Sequence, residues 1–85
     1  MPPMMDETAP ETVVDTRGHR CPAPTLRLRR ALEGLPPGAR VRLLADDPMA
    51  RIDVPHFAAQ NRHLLVSTET NGSWLEFVVE RAALA

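Results

Sequence analysis

The chemically pointed feature of this chain is one sulfur atom set among guanidinium groups. Cys21 is the single cysteine, and Arg17, Arg20, Arg27, Arg29 and Arg30 crowd around it in sequence. Two prolines follow the cysteine in Cys21-Pro22-Ala23-Pro24. Proline lacks an amide proton and pre-sets φ for a first helical turn, so this stretch predicts a helix start just after a turn at Gly18. The amides of Ala23, Thr25 and Leu26 are then expected to be free donors near the sulfur. A thiol there meets a positive potential from the helix dipole and from the arginines, which favours thiolate and lowers its pKa. The same potential favours a persulfide anion, so the site could accept a sulfur atom, hold it and present it to a second protein.

Other readings of Cys21 are weaker. A lone cysteine is often a small buried hydrophobe, but the position between Gly18-His19-Arg20 and two prolines predicts a surface corner. No CxxC exists, which excludes a dithiol cycle within the chain. One cysteine with His19, His56 and His63 lacks the spacing of a zinc site, so neither metal nor cofactor is expected. A Cys-His acyl-transfer pair with His19 stays open, although no oxyanion-hole motif accompanies it. A thiol that senses oxidation is a further reading.

Arg27, Arg29 and Arg30 fall outside the apolar stripe Leu28, Ala31, Leu32, Leu35. They form either ordinary solvated surface or a docking patch for acidic partners or tRNA phosphates. With no aromatic or glycine-rich RNA-binding signature, direct tRNA binding is not expected. Asp46, Asp47 and Asp53, beside Pro48 and Pro55, read as helix-capping carboxylates and not as a catalytic pair or hard-cation site. His63 is expected to be a hydrogen-bonded structural histidine, and Trp74 and Phe77 to be packing residues.

The elements that must position these groups follow from length and pattern. A chain of 85 residues has room for one compact domain, and with only Trp74, Phe57 and Phe77 as aromatics its core must be aliphatic. A formal net charge of -1 gives no global drive toward nucleic acid or anionic membrane. Residues 1–11, with Pro2, Pro3 and Pro10, read as a mobile tail, and 12–85 as a single domain. One cysteine, and no apolar leader in the N-terminal stretch, predict a reducing, cytoplasmic setting. No apolar run approaches the roughly 18 residues of a membrane span, so no membrane partner is expected.

Thr12–Thr16 predicts a first strand. The Leu28 stripe predicts a helix that stops at Gly34 and Pro36-Pro37-Gly38. Arg40–Ala45 predicts a second strand. Asp46-Asp47-Pro48 predicts an N-cap with proline at the first helical position, opening a second helix to about Asn61, kinked or restarted at Pro55 with Asp53 as its cap. His63–Thr70 and Ser73–Arg81 predict an antiparallel pair joined at Asn71-Gly72. The order β-α-β-α-β-β implies an α+β domain: a two-layer α/β sandwich with one mixed four-stranded sheet and both helices on one face.

From Val14 to the last strand the chain resembles the TusA/SirA-like sulfur-carrier family. The residues that carry the likeness are Asp15, Gly18, Arg20-Cys21-Pro22-Ala23-Pro24, Arg29-Arg30, Gly38, Asp46-Asp47-Pro48, Asp53-Val54-Pro55-His56-Phe57 and His63-Leu64-Leu65. Cys-Pro-x-Pro alone is a weak pattern, and the second block at this distance makes it specific. The resemblance implies the same fold and a sulfurtransferase with persulfide carried on Cys21. It also implies that Pro22 and Pro24 shape the corner, and that Arg20, Arg29 and Arg30 contact partners. The implied donor is a cysteine desulfurase or rhodanese-like protein. The implied acceptor is a downstream protein, as in tRNA 2-thiolation or cytoplasmic sulfur oxidation. Three positions depart from the family pattern: His19 replaces a common leucine, Ala58 a frequent second cysteine and Arg62 a frequent glycine. The competing reading is a non-catalytic regulatory module that binds protein or RNA through its arginine-rich helix face.

Overall fold

The structure is a computed structural model that describes residues 12–20 and 22–82. Its elements are β1 (Thr12–Asp15), α1 (Ala23–Glu33), β2 (Arg40–Ala45), α2 (Ala50–Gln60), β3 (Leu64–Asn71) and β4 (Trp74–Glu80). This is the β-α-β-α-β-β order expected from sequence. The sheet runs β1-β2-β4-β3, with β1 parallel to β2 and the two remaining pairs antiparallel, so it is mixed.

Alternation in the two central strands decides which side the helices cover. Val41, Leu43 and Ala45 of β2 pair with Val79, Phe77 and Leu75 of β4, and all six are buried. Successive side chains of a strand point to opposite faces, so these six form one apolar surface. Leu28 and Leu32 of α1 and Ala50, Val54 and Ala58 of α2 join the same core, which puts both helices on that surface. The other side carries Arg40 and Arg42 of β2 and Glu76 and Glu80 of β4, joined as Arg40–Glu80 at 3.0 Å and as Arg42–Glu76.

Three sequence-based expectations are corrected. The second helix begins at Ala50 with Met49 as its N-cap and no side-chain cap. Asp47 instead accepts the Met49 amide at 3.0 Å, a local turn contact that Pro48 passes through before the helix begins. Pro55 neither splits nor restarts α2, and Asp53 lies in its first turn and not at a cap. The hairpin loop is Gly72-Ser73, because Asn71 pairs with Trp74. Gly72 alone takes a left-handed φ, of 63°, as a two-residue loop with glycine first requires.

Helix α2 ends in a Schellman motif: His63 donates its amide to Ala58 O at 2.8 Å and Arg62 donates to Ala59 O at 3.2 Å. The left-handed residue of that motif is Arg62, with φ 62°. A side chain at this position is strained, and glycine would relieve it. Because β1 and β2 are parallel and each leads into a helix, both helices start at the same end of the sandwich. That end holds the turn at residues 17–20 and the start of α1.

Candidate functional site

Cys21 itself lies outside the described residues, as does the tail of residues 1–11. The chain on either side of it is described and is held at several points. Thr16 is the last residue fixed to the sheet. Fully buried, it donates both its amide (2.8 Å) and its hydroxyl (2.6 Å) to Leu44 O. One carbonyl oxygen has two lone pairs, so both bonds can form together.

Beyond Thr16 the backbone reverses. The His19 amide returns to Thr16 O at 3.0 Å, and Gly18 adopts φ 89°. A Cβ at Gly18 would meet nothing within 4 Å, so the dihedral and not lack of room asks for glycine. The Gly18 amide lies 3.0 Å from each carboxylate oxygen of Asp46, in the loop between β2 and α2. Sequence reasoning assigned Asp46 to a helix cap and missed this contact. The partners are 28 residues apart, so no local pattern could have revealed it.

Arg17 is occupied elsewhere. Its amide and Nε donate to Asp15 Oδ1 at 3.1 and 2.9 Å, and its second terminal nitrogen donates to Oδ2 at 2.8 Å. These bonds hold the Asp15 carboxyl down at about 2 and push the Arg17 pKa up. The guanidinium also stacks over Trp74, 4.8 Å from the ring centroid. A second anchor therefore ties this loop to β4.

On the far side of the corner, Pro22 is the N-cap of α1, and Pro24, inside the first turn, is buried. The Ala23 amide donates to Arg20 O at 2.9 Å and the Leu26 amide to Pro22 O at 3.0 Å. Two of the three amides expected to be free are thus engaged by carbonyls. The Thr25 hydroxyl also turns back to Pro22 O, at 3.1 Å.

The basic residues that cluster in sequence separate in space. Arg20 is exposed and lines a cleft of about 530 Å³ between Gly18–Arg20 and Asp46–Met49. His19 shares that wall. Arg30 and Arg27 flank a groove with Val14 and Ala31, beside edge strand β1. Arg29 lines a different hollow with Phe57, His63 and Arg81, and it pairs with Glu33 at 3.2 Å. Arg29 and Arg30 therefore do not form a single patch.

A well-anchored turn leading into a proline-capped helix matches a family pattern along nearly its whole length. The model of the sulfurtransferase TusA family matches residues 12–81. The chain belongs to the TusA family. Among solved structures it is similar to the SirA-like protein of Desulfitobacterium hafniense, with a TM-score of 0.74 and 24% identity over 84% of this chain and 97% of that one. That likeness is one of fold. TusA-family proteins are sulfur carriers that act with partner proteins in a relay, and in that general sense this chain is a sulfurtransferase. No helix among the described residues is long and apolar enough to cross a membrane.

Proposed function

We propose that this TusA-family chain relays sulfane sulfur on Cys21. The observation that supports the reading best is that the family match spans the Cys-Pro-x-Pro corner, where Pro22 caps α1. In the loading step the Cys21 thiolate attacks the outer sulfur of a persulfide on the donor. A new S–S bond forms at Cys21, the donor's S–S bond breaks, and the donor cysteine leaves as a thiolate. In delivery an acceptor thiolate attacks the outer sulfur of the Cys21 persulfide, and Cys21 departs as thiolate. No electrons are gained or lost overall, so the cycle needs no cofactor.

The donor is a cysteine desulfurase or rhodanese-like protein, and the acceptor is a downstream protein of tRNA 2-thiolation or of sulfur oxidation in the cytoplasm. Arg20, on the cleft wall next to Cys21 in sequence, favours the anionic forms of the thiol and the persulfide and offers a guanidinium to an acidic partner surface. Pro22 and Pro24 stiffen the corner. Arg30, exposed near edge strand β1, extends the contact surface, and Arg29 offers a second contact on the other flank of α1.

Incubation with a cysteine desulfurase and cysteine, followed by intact-mass measurement, is expected to show the mass of one added sulfur atom. Cys21→Ala is expected to show none. A wild-type chain that never gains the mass, or a variant that gains it equally, rules the relay out.

A further inference from the structure

Asp46 is the most specific long-range contact of the segment that delivers Cys21. Both of its oxygens lie 3.0 Å from the Gly18 amide, from a loop on the other side of the cleft. A carboxylate accepting an amide proton makes a charge-assisted bond, stronger than a neutral one. Gly18 takes its left-handed φ of 89° at that very contact, and the reversal is closed by His19 N to Thr16 O at 3.0 Å. Upstream, Thr16 is immobilised on Leu44 O, and Leu44 lies on the strand that runs directly into Asp46. Between this clamp and the N-cap at Pro22 the described backbone is tied at two further points, His19 N to Thr16 O at 3.0 Å and Ala23 N to Arg20 O at 2.9 Å.

We propose that Asp46 is a positioning residue for the Cys21 thiol. By gripping the Gly18 amide it sets the course of the chain through residues 18–20 toward the start of α1, and transfer at Cys21 depends on that course. The role acts through the Gly18 amide. It deepens the relay reading and rests on it for the transfer readout alone.

The test compares Asp46→Asn with Asp46→Ala in the full chain. Both substitutions remove the negative charge, so any direct effect of that charge on the thiol cancels between them. Asparagine keeps one acceptor oxygen for the Gly18 amide, and alanine keeps none. Because Cys21 is the sole cysteine, the pH profile of its alkylation by iodoacetamide can be followed by intact mass. The alanine variant is expected to titrate at least about half a unit above the asparagine variant, toward the free-cysteine value near 8.5. Its sulfur loading from a desulfurase is expected to be slower by about five-fold or more, equivalent to about 1 kcal/mol in barrier.

Identical profiles and loading rates for the two variants would overturn the proposal. If the wild-type chain takes up no sulfur at all, the relay reading fails, while the alkylation comparison still decides the role of Asp46. Should Asp46→Ala not fold, hydrogen exchange of the Gly18 amide in the wild-type chain decides. Strong protection is expected, and exchange at the unstructured rate overturns the proposal.

Discussion

Arg17 makes two anchors at once, reaching Asp15 with three nitrogens while its guanidinium lies 4.8 Å above the centre of Trp74. Trp74 opens β4 and is the only tryptophan, so its fluorescence reports on the loop that leads to Cys21. Arg17→Ala is expected to shift the emission to longer wavelength as the ring gains water. The melting temperature should move little, because the contact sits in solvent. An unchanged spectrum would show that Arg17 does not cover the ring in solution.

The same contact has an acid limit. Asp15 titrates at about 2 in the folded chain against an ordinary 3.8, because Arg17 hydrogen-bonds its charged form. A lowered carboxyl pKa stabilises the fold above the ordinary value, and that contribution fades as pH falls from 3.8 toward about 2. The Trp74 emission is therefore expected to hold steady down to pH 4 and to change only below it, and Asp15→Asn should abolish that acid transition.

His63 imposes a second loss on acidification, here because its neutral form is the one the fold uses. Its Nδ1 accepts the Ala82 amide at 2.8 Å, which requires the neutral ring. Burial and, after it, the Arg81 charge lower its pKa from 6.5. The unfolded chain then binds the proton more readily, so the stabilising contribution is complete above 6.5 and shrinks as pH falls from 6.5 toward the lower folded value. Urea midpoints should drop on acidification through this window. His63→Asn, which can keep an acceptor oxygen but cannot titrate, should flatten the slope, and His63→Ala should cost about 1 kcal/mol at neutral pH.

Arg62 occupies the left-handed position of the α2 Schellman motif. Arg62→Gly removes the Cβ strain but loosens the unfolded chain, and the net expected from those opposing effects is a stabilisation of roughly 0.5–1 kcal/mol. A thermal melt that falls would contradict the strain argument.

Ala58 is 2% exposed within the helix–sheet core. A thiol introduced as Ala58→Cys, in a Cys21→Ala background, is expected to alkylate at least about ten-fold more slowly than a free cysteine in the native state and to react normally in urea. Fast labelling in the native state would show that the core opens there.

The parts legible in sequence were those governed by neighbours along the chain. β2 is found at its expected Arg40–Ala45 bounds, since Gly38 and Asp46 punctuate an apolar run, and α1 ends near Gly34 for the same reason. The hairpin was legible to within one residue, and the ambiguity was physical, because Asn71-Gly72 and Gly72-Ser73 are both acceptable two-residue loops. Pro55 misled because a proline signals a break, whereas Val54 and Ala58 on the core face keep α2 continuous around it. What sequence could not supply was contact across the fold. Nothing local says that Asp46 would grip Gly18, that Arg17 would leave the cysteine corner for Trp74, or that Arg29 and Arg30 would look to different hollows.

A sandwich of only two layers leaves one broad side of its sheet without a helix over it. Val13 and Leu64 are more than half exposed, and such a surface invites other strands or other copies to stick. Arg40–Glu80 and Arg42–Glu76 lie across the middle of that side as two opposite-charge rungs between β2 and β4. Any molecule stacking there would have to strip water from both rungs before gaining apolar contact. The two charged rungs thus put a desolvation cost on stacking against that side.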